Sequence, residues 1–229
     1  MVTKDRLSES SFPVEIPLEE NALHGDLAIP YSPMGLVIFL HASGSSSPGN
    51  MHAANNLNKK GFATLLLDLL SQQEQKIDSE TMEFRFDVPW LATRSISIAK
   101  WAIRDSRTRS MPVGLLGTSA GAAAALIAAS VMNRQIAAVV SRCGRPDLAE
   151  EALAQVSSPT LLIVGGEGKR ILDLNRRAMA RIAGICDLHV IPGATHLFEE
   201  PGAMAQAITA AGAWFARHMR QSTAKNVAG

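Results

Sequence analysis

The sequence predicts an α/β protein with a mostly parallel central sheet and helices on both faces. From residue 35 onward, short apolar runs bounded by turn residues alternate with segments whose apolar residues recur at helical spacing. The runs at 35–41, 63–70 and 160–165 are continuously apolar, which is typical of strands covered on both faces. A chain of 229 residues, 47% hydrophobic and 19% charged, can bury one large core. We therefore expect a single domain over residues 1–229.

The first part of the chain predicts a hairpin followed by an alternation of strands and helices. Residues 11–30 alternate apolar and polar around Asn21 and Ala22, which indicates two strands at a sheet edge. The small-residue loop HASGSSSPG at 41–49 leads into a helix over 48–60 that Gly61 ends. The segment 71–87 has no clear period and is the candidate for a lid, and helical spacing resumes over 88–107.

The second part continues the alternation to the carboxyl end. Strands are expected at 113–116, 136–141, 160–165 and 188–191, and helices at 120–133, 147–155, 171–182 and 201–220. The segments 1–10 and 221–229 are expected to be frayed ends. Ligands of such sheets bind over the carboxyl ends of the strands, so the loops at that edge are the place to look for chemistry.

Composition and charge narrow the class of ligand. The net charge is +1, with no dense cluster of lysine or arginine, so we expect no nucleic-acid partner and take a small molecule as the ligand. The start MVTKDRLSES lacks the apolar region of a signal peptide, and no run approaches the roughly 18 apolar residues of a membrane span. Cys143 and Cys186 form no disulfide framework and no zinc-site spacing, so both are expected to be buried apolar residues. These observations predict a cytoplasmic protein without a membrane partner or a metal.

The stretch at 112–130 carries the strongest chemical signal. An apolar strand is followed by Gly117-Thr118-Ser119-Ala120-Gly121 and then by an alanine-rich helix. This is G-x-S-x-G in a strand-turn-helix context, where a sharp turn points the serine hydroxyl over the edge of the sheet. The alternative is an ordinary serine that caps the helix. We take Ser119 as the candidate nucleophile.

A serine nucleophile needs a general base, and for an elbow serine the histidine follows it in the chain. His189 lies within a predicted strand and His218 near the end of the last helix, away from the expected edge. His196 lies in the loop after the last strand. His196 is therefore the candidate base.

The oxyanion of such a reaction is stabilised by two backbone N–H groups. The residue after the nucleophile supplies one of them, here Ala120, and the loop after the strand ending at His41 supplies the other, for which Ser43 is favoured. We expect His41 itself to be a structural histidine at the end of its strand.

The acid that orients the histidine is ambiguous in the sequence. Asp187 precedes its predicted strand, and Glu150, Glu151 and Asp173 fall on predicted helices. Two candidates are left: Glu167, just after the strand at 160–165, and Asp147, after the preceding strand.

Taken together, these motifs resemble the α/β-hydrolases of the dienelactone hydrolase-like group over residues 14–217. The resemblance rests on HASGSS, LLLDLL with the later RFD, GTSAGAAAAL, SRCGRPDLA, LLIVGGEG and PGATHLFEEPGA. It implies the α/β-hydrolase fold, with a sheet of about eight strands. It also implies a serine or cysteine nucleophile, an acid and a histidine that act on esters or lactones without a metal or organic cofactor. Strands and helices consume nearly all of the length, so no large cap domain is expected.

The chain departs from this family pattern at two positions. Dienelactone hydrolases proper use a cysteine where Ser119 stands, which points to the esterase-like members. The family has aspartate in Gly-Gly-x-Asp after the acid strand, and the matching residue is Gly168. Three alternatives stay open: Glu167 substitutes, Asp147 reaches the histidine, or Ser119 and His196 work as a dyad.

The expected function is hydrolysis of a small ester or lactone through an acyl-enzyme. Arg85, Phe86 and Arg142 are candidates for substrate binding, and a homodimer is compatible with the sequence. The same machinery serves a thioesterase or an acyltransferase. A non-catalytic binding protein that has lost its acid is the alternative of a different class.

Overall fold

The computed structural model describes residues 10–18 and 21–223. Its strands are β1 Ser10–Pro17, β2 Ala22–Ile29, β3 Leu36–His41, β4 Ala63–Asp68, β5 Val113–Ser119, β6 Ile136–Gly144, β7 Thr160–Gly165 and β8 Cys186–Ile191. Its α-helices are α1 Pro48–Lys59, α2 Gln72–Thr81, α3 Val88–Arg104, α4 Ala120–Met132, α5 Lys169–Met179 and α6 Ala203–Thr223. Short 3-10 segments cover Asn133–Gln135 and Pro146–Gln155. The predicted frayed ends lie outside the described residues, except that residue 10 begins β1 and residues 221–223 belong to α6.

The strands of the described chain form one eight-stranded sheet in the order β1-β2-β4-β3-β5-β6-β7-β8. The pairs β1–β2 and β2–β4 are antiparallel, and every pair from β4 to β8 along the sheet is parallel. This confirms the predicted edge hairpin and the mostly parallel sheet. The loops after β3, β5, β6, β7 and β8 consequently open on one edge.

Helices cover both faces of this sheet, as the continuous apolar strands require. Alternate residues of β3 point to opposite sides: Ile38 and Leu40 pack with α3 and α4, and Val37 and Phe39 pack with α1 and α6. All four side chains are fully buried. Burying both faces removes apolar surface from water at about 25 cal/mol per Å², which makes β3 and β5 the centre of the fold.

The lid candidate at 71–87 contains a helix that hydrophobic periodicity did not predict. Ser71 accepts a hydrogen bond from the backbone N–H of Glu74, and the Glu74 carboxylate accepts one from the Ser71 N–H at 2.7 Å. This capping box satisfies the first free N–H groups of α2. The buried side chain of the helix is Asp78, which is ion-paired with Arg85. Hydrogen bonds and an ion pair, rather than a stripe of apolar side chains, thus hold α2 in place.

Two further boundaries differ from the predictions. The helix predicted over residues 147–155 is instead a 3-10 segment, Pro146–Gln155, with a kink at Glu150, where φ is +45°. Strand β8 begins at Cys186, so Asp187 lies inside the strand and pairs with Leu161 rather than preceding it. No helix among the described residues is both long enough and apolar enough to cross a membrane.

Candidate active site

The turn between β5 and α4 has the geometry of a nucleophile elbow. Ser119 ends β5 with φ 50° and ψ −127°, a conformation that costs a non-glycine residue free energy. A Cβ on Gly117 would lie 2.4 Å from the Gly121 oxygen, and a Cβ on Gly121 would lie 2.2 Å from the Leu40 oxygen. Both glycines are therefore required for the close packing of the turn. The Ser119 side chain is exposed and makes no capping hydrogen bond to α4, which contradicts the alternative of an ordinary N-cap serine.

A cavity of about 380 Å³ opens at this edge of the sheet, and Ser119 lines it. The same cavity is lined by His196 from the β8–α6 loop, Ser43 from the β3–α1 loop, and Arg142 from the end of β6. Parallel strands bring these residues together although they are far apart in the chain. In the described residues neither the Ser119 hydroxyl nor the His196 imidazole has a hydrogen-bond partner, and catalytic hydrogen bonds are often long before substrate binds.

The loop that carries His196 is held by backbone contacts and one carboxylate. Phe198 has φ 56° and is 3% exposed, so it anchors the loop in the core. Its N–H donates to the Thr195 carbonyl at 3.4 Å. The Thr195 N–H donates to Glu200 Oε1 at 3.0 Å. His196 itself is exposed at the cavity.

The proposed oxyanion donors lie on two well-supported segments. Ala120 is the first residue of α4 and is buried, and the first N–H groups of a helix have no acceptor within the helix. The loop with Ser43 is held from two sides. Asn50 Nδ2 donates to the Gly44 carbonyl at 3.0 Å, and the Ser45 N–H donates to Asp68 Oδ1 at 2.7 Å.

Arg142 is a buried cation without a carboxylate partner among the described residues. Its guanidinium donates to Asn50 Oδ1 at 2.6 Å and contacts Met204 Sδ at 3.5 Å, and the side chain is 8% exposed. Burial lowers the pKa of Arg142 from its ordinary high value. By contrast, Arg85 and Arg145 pair with Asp78 and Asp147. The cavity therefore contains an uncompensated positive group.

Two other titratable groups of the cavity stay neutral. Burial, together with the charge of Arg142, lowers the pKa of His41 to about 3, so its imidazole is uncharged at neutral pH. His41 stacks on Phe39 with ring centroids 6.1 Å apart. Burial raises the pKa of Cys143 to about 12, so its thiol stays protonated and is a poor nucleophile.

Neither of the two acids predicted from the sequence is hydrogen-bonded to the His196 imidazole in the described residues. Asp147 binds Arg145 through both oxygens, with Arg145 Nε 2.9 Å from Oδ1 and Nη2 2.7 Å from Oδ2. The Glu167 N–H donates to the Ala194 carbonyl at 3.1 Å, so its backbone lies beside the His196 loop. Its side chain is exposed and has no hydrogen bond within the described residues. At Gly168, a Cβ would meet no heavy atom closer than 3.8 Å, so this position has room for a side chain.

Two predicted substrate contacts lie outside the cavity lining. Arg85 is bound to the buried carboxylate of Asp78, with which it closes the turn after α2. Phe86 is 61% exposed and belongs to the same turn. Of the three predicted substrate-binding residues, only Arg142 lines the cavity. No group of three or more metal-binding side chains occurs within the described ranges.

Sequence reasoning missed Asn50 and Glu200. Asn50 is 5% exposed and links Arg142 to the Gly44 carbonyl, which connects β6 to the β3–α1 loop. It occurs in an asparagine-rich helix where no local pattern distinguishes it. Glu200 follows His196 by four residues, and the usual chain order of an elbow triad, nucleophile, acid and then histidine, directs attention to residues before His196.

Comparison with known proteins places the chain in a family. A model of the dienelactone hydrolase family matches residues 23–220. A dienelactone hydrolase from Anabaena variabilis, known from a crystal structure, is 41% identical. Its TM-score is 0.90, and the match covers 93% of this chain and 99% of that one. Est1E from Butyrivibrio proteoclasticus has a TM-score of 0.75 at 15% identity, covers 90% of this chain and 98% of its own, and shows the fold alone.

Relatives in Mycobacterium tuberculosis are longer proteins. Two strains carry a protein provisionally named phosphoribosyl transferase that is 48% identical over 197 residues. The match covers 85% of this chain and 44% of the relative, so the chain spans less than half the length of these proteins. The matched family model and the Anabaena structure agree with the observed fold. The chain belongs to the dienelactone hydrolase family of α/β-hydrolases.

Proposed function

We propose that the chain is a serine hydrolase that cleaves small carboxylic esters or lactones through an acyl-enzyme. The observation that carries this proposal is the strained elbow serine, Ser119, lining one cavity with His196 and Ser43. A positive φ at a non-glycine residue costs free energy, and Ser119 gains no capping hydrogen bond in return. Such strain is typical of a nucleophile held at an elbow.

The reaction follows from these positions. The His196 imidazole takes the proton of the Ser119 hydroxyl as Oγ attacks the ester carbonyl carbon, and the N–H groups of Ser43 and Ala120 stabilise the oxyanion. The carbonyl re-forms, the C–O bond of the leaving group breaks, and His196 returns the proton to the departing alcohol or, in a lactone, to the opened hydroxyl. Water, deprotonated by His196, then attacks the acyl-enzyme, and the carboxylic acid leaves as Ser119 regains its proton.

The cavity supports small substrates that carry a negative charge. Its volume of about 380 Å³ lies near the lower limit of small-molecule sites, about 300 Å³. Arg142 contributes a buried guanidinium that no protein carboxylate neutralises in the described residues. A substrate carboxylate would supply the missing partner.

The proposal is tested by hydrolysis of p-nitrophenyl acetate, comparing the wild type with Ser119→Ala. We expect Ser119→Ala to lose at least 10³-fold in kcat, because the residual rate comes from binding and the oxyanion donors alone. Ser130→Ala, at the other end of α4, is the matched control and should keep the wild-type rate. Equal rates for the wild type and Ser119→Ala would refute the proposal.

A non-catalytic binding protein is the second candidate. Gly168 at the family's acid position and the absence of a carboxylate on the His196 imidazole in the described residues favour it. In that case the wild type and Ser119→Ala would both be inactive toward every ester, while still binding a carboxylate ligand in the cavity. Acyl transfer to another alcohol or a thiol would use the same residues. The cytoplasmic location, the single domain and a homodimer stay predictions.

A further inference from the structure

A catalytic histidine that accepts a proton from serine becomes a cation, and a nearby carboxylate stabilises it. The family implies an aspartate for this purpose at the position of Gly168. Asp147 is occupied by Arg145, and the Glu167 side chain points into solvent without a partner among the described residues. Neither of these carboxylates is hydrogen-bonded to His196 within the described residues, whereas a third, Glu200, is bound to the residue directly before it.

Glu200 has an oxygen that no residue in the described part of the chain satisfies. Its Oε1 accepts the N–H of Thr195, the residue directly before His196, at 3.0 Å. Its Oε2 is shielded from solvent and has no hydrogen-bond partner within the described residues. A shielded carboxylate oxygen without a donor is unfavourable, and a donor that comes within reach of it is stabilising.

The Glu200 carboxylate is ionised and its charge reaches the cavity. Hydrogen bonding from Thr195 lowers the pKa of the Glu200 carboxyl, so it is charged at neutral pH. Burial is the main reason for the raised pKa of Cys143, and the Glu200 charge adds to it against the opposing charge of Arg142. Cys143 and His196 line the same cavity. The charge of Glu200 therefore extends into the cavity that His196 lines.

We propose that Glu200 is the positioning residue of this site: its free Oε2 accepts the remaining ring N–H of His196 and stabilises the imidazolium. This inference rests on the proposed hydrolase function. Glu200 takes up no proton itself. It holds the imidazole by a hydrogen bond from within the same loop, in place of an acid after β7. With Glu200 in this role, the support of His196 requires neither Glu167 nor Asp147, and Ser119 and His196 do not act as an unaided dyad.

The first test is Glu200→Gln with a chromogenic ester. Glutamine keeps an oxygen that can accept the Thr195 N–H, so the loop stays closed and only the charge is removed. We expect kcat to fall at least tenfold with little change in KM. The acid limb of kcat/KM should move to lower pH, because a carboxylate raises the pKa of a neighbouring imidazole.

The other titratable groups of the cavity, His41, Cys143 and Arg142, are the same in both proteins, so they do not contribute to this shift. Glu199→Gln is the matched control: it removes the same charge from the exposed neighbouring residue and should leave kcat and the acid limb unchanged. Wild-type kcat and an unmoved acid limb in Glu200→Gln would mean that Glu200 only closes the loop, and would overturn the inference.

Gly168→Asp provides a second test, and its arm in the wild-type background does not depend on the folding of Glu200→Gln. A side chain fits at residue 168, since the nearest heavy atom to its Cβ would be 3.8 Å away. In the wild-type background we expect Gly168→Asp to change kcat less than threefold, because Glu200 already supports His196. In the Glu200→Gln background it should restore at least a third of the wild-type kcat.

If Gly168→Asp raised kcat tenfold or more in the wild-type background, His196 would have no supporting carboxylate in the wild type. That result would overturn the inference. The two proposals can fail separately, because Ser119→Ala tests the hydrolase function and Glu200→Gln tests only the support of His196. If Ser119 is essential and Glu200→Gln behaves as the wild type, the hydrolase proposal stands and the role of Glu200 does not.

Discussion

Replacing Gly121 by alanine should damage both the stability of the protein and the geometry of the turn that carries Ser119. The new Cβ would lie 2.2 Å from the Leu40 carbonyl oxygen and 3.0 Å from its carbon, both backbone atoms of the central strand β3. An ordinary contact needs more than 3 Å, so α4 and β3 must separate by about 1 Å. Overpacking of this kind costs roughly 1–3 kcal/mol, and in a chain of this size each kcal/mol lowers Tm by about 2–4 °C.

The same displacement moves the N–H of Ala120 away from the oxyanion position beside the Ser43 loop. A misplacement of about 1 Å in an active site can cost about 10²-fold in rate. We therefore expect Gly121→Ala to lower Tm by about 2–12 °C and kcat for p-nitrophenyl acetate by about 10²-fold, measured by circular dichroism and initial rates.

Gly168→Ala is the control for Gly121→Ala, since its Cβ would have no neighbour within 3.8 Å and its φ is −85°. It should keep the wild-type Tm within about 2 °C. If Gly121→Ala had the Tm and kcat of the wild type, the contact between the elbow and β3 would not be what holds Ser119 in place, and the reasoning would be wrong.

Three further predictions concern the polar contacts of the structure. Asn50→Ala removes the donor to the Gly44 carbonyl, so kcat should fall about tenfold while KM changes little in steady-state kinetics with p-nitrophenyl acetate. Arg142→Gln removes the uncompensated cation. The loss of kcat/KM should be about 10 to 100 times larger for the anionic p-nitrophenyl hemisuccinate than for the neutral p-nitrophenyl butyrate. Equal losses for the two esters would contradict anion binding. Burial alone would raise the pKa of Glu74, but the hydrogen bonds from Arg94 outweigh burial, and the net effect is a lowered pKa. The ion pair therefore stabilises the fold at pH values above the unfolded-state pKa of about 4.3. Glu74→Gln should lower Tm at pH 7, and thermal melts should show the difference from wild type shrinking as pH falls through the lower, folded-state pKa of Glu74.

Much of the fold was predictable because its strands and helices carry independent local signals. The continuous run ending at His41 predicted a strand covered on both faces, and the structure buries every residue of β3. The helix α2 was missed because its contact with the fold is made by charges: Asp78 pairs with Arg85, and Glu74 pairs with Arg94. Periodicity of apolar residues cannot detect a helix held in this way.

The candidate site was predictable where a residue sits in a motif and unpredictable where it depends on pairing in space. Ser119 and His196 follow from the elbow and from the order of residues along the chain, and the structure places both at one cavity. The role of Asn50 depends on the approach of Arg142 from β6, which no local pattern encodes. The free oxygen of Glu200 likewise follows from how its loop folds back on Thr195.

The neighbourhood of β3 and β5 also bears on how the protein folds. These strands pair in register from Leu36 with Val113 to Leu40 with Gly117, although α1, β4, α2 and α3 lie between them in the chain. Such long-range parallel pairing requires the closure of a large loop and is slow. The contact of Gly121 with Leu40 can form only after this crossover is complete. Refolding should therefore regain helical content early, and the native geometry of the turn at Ser119 only in the last slow phase.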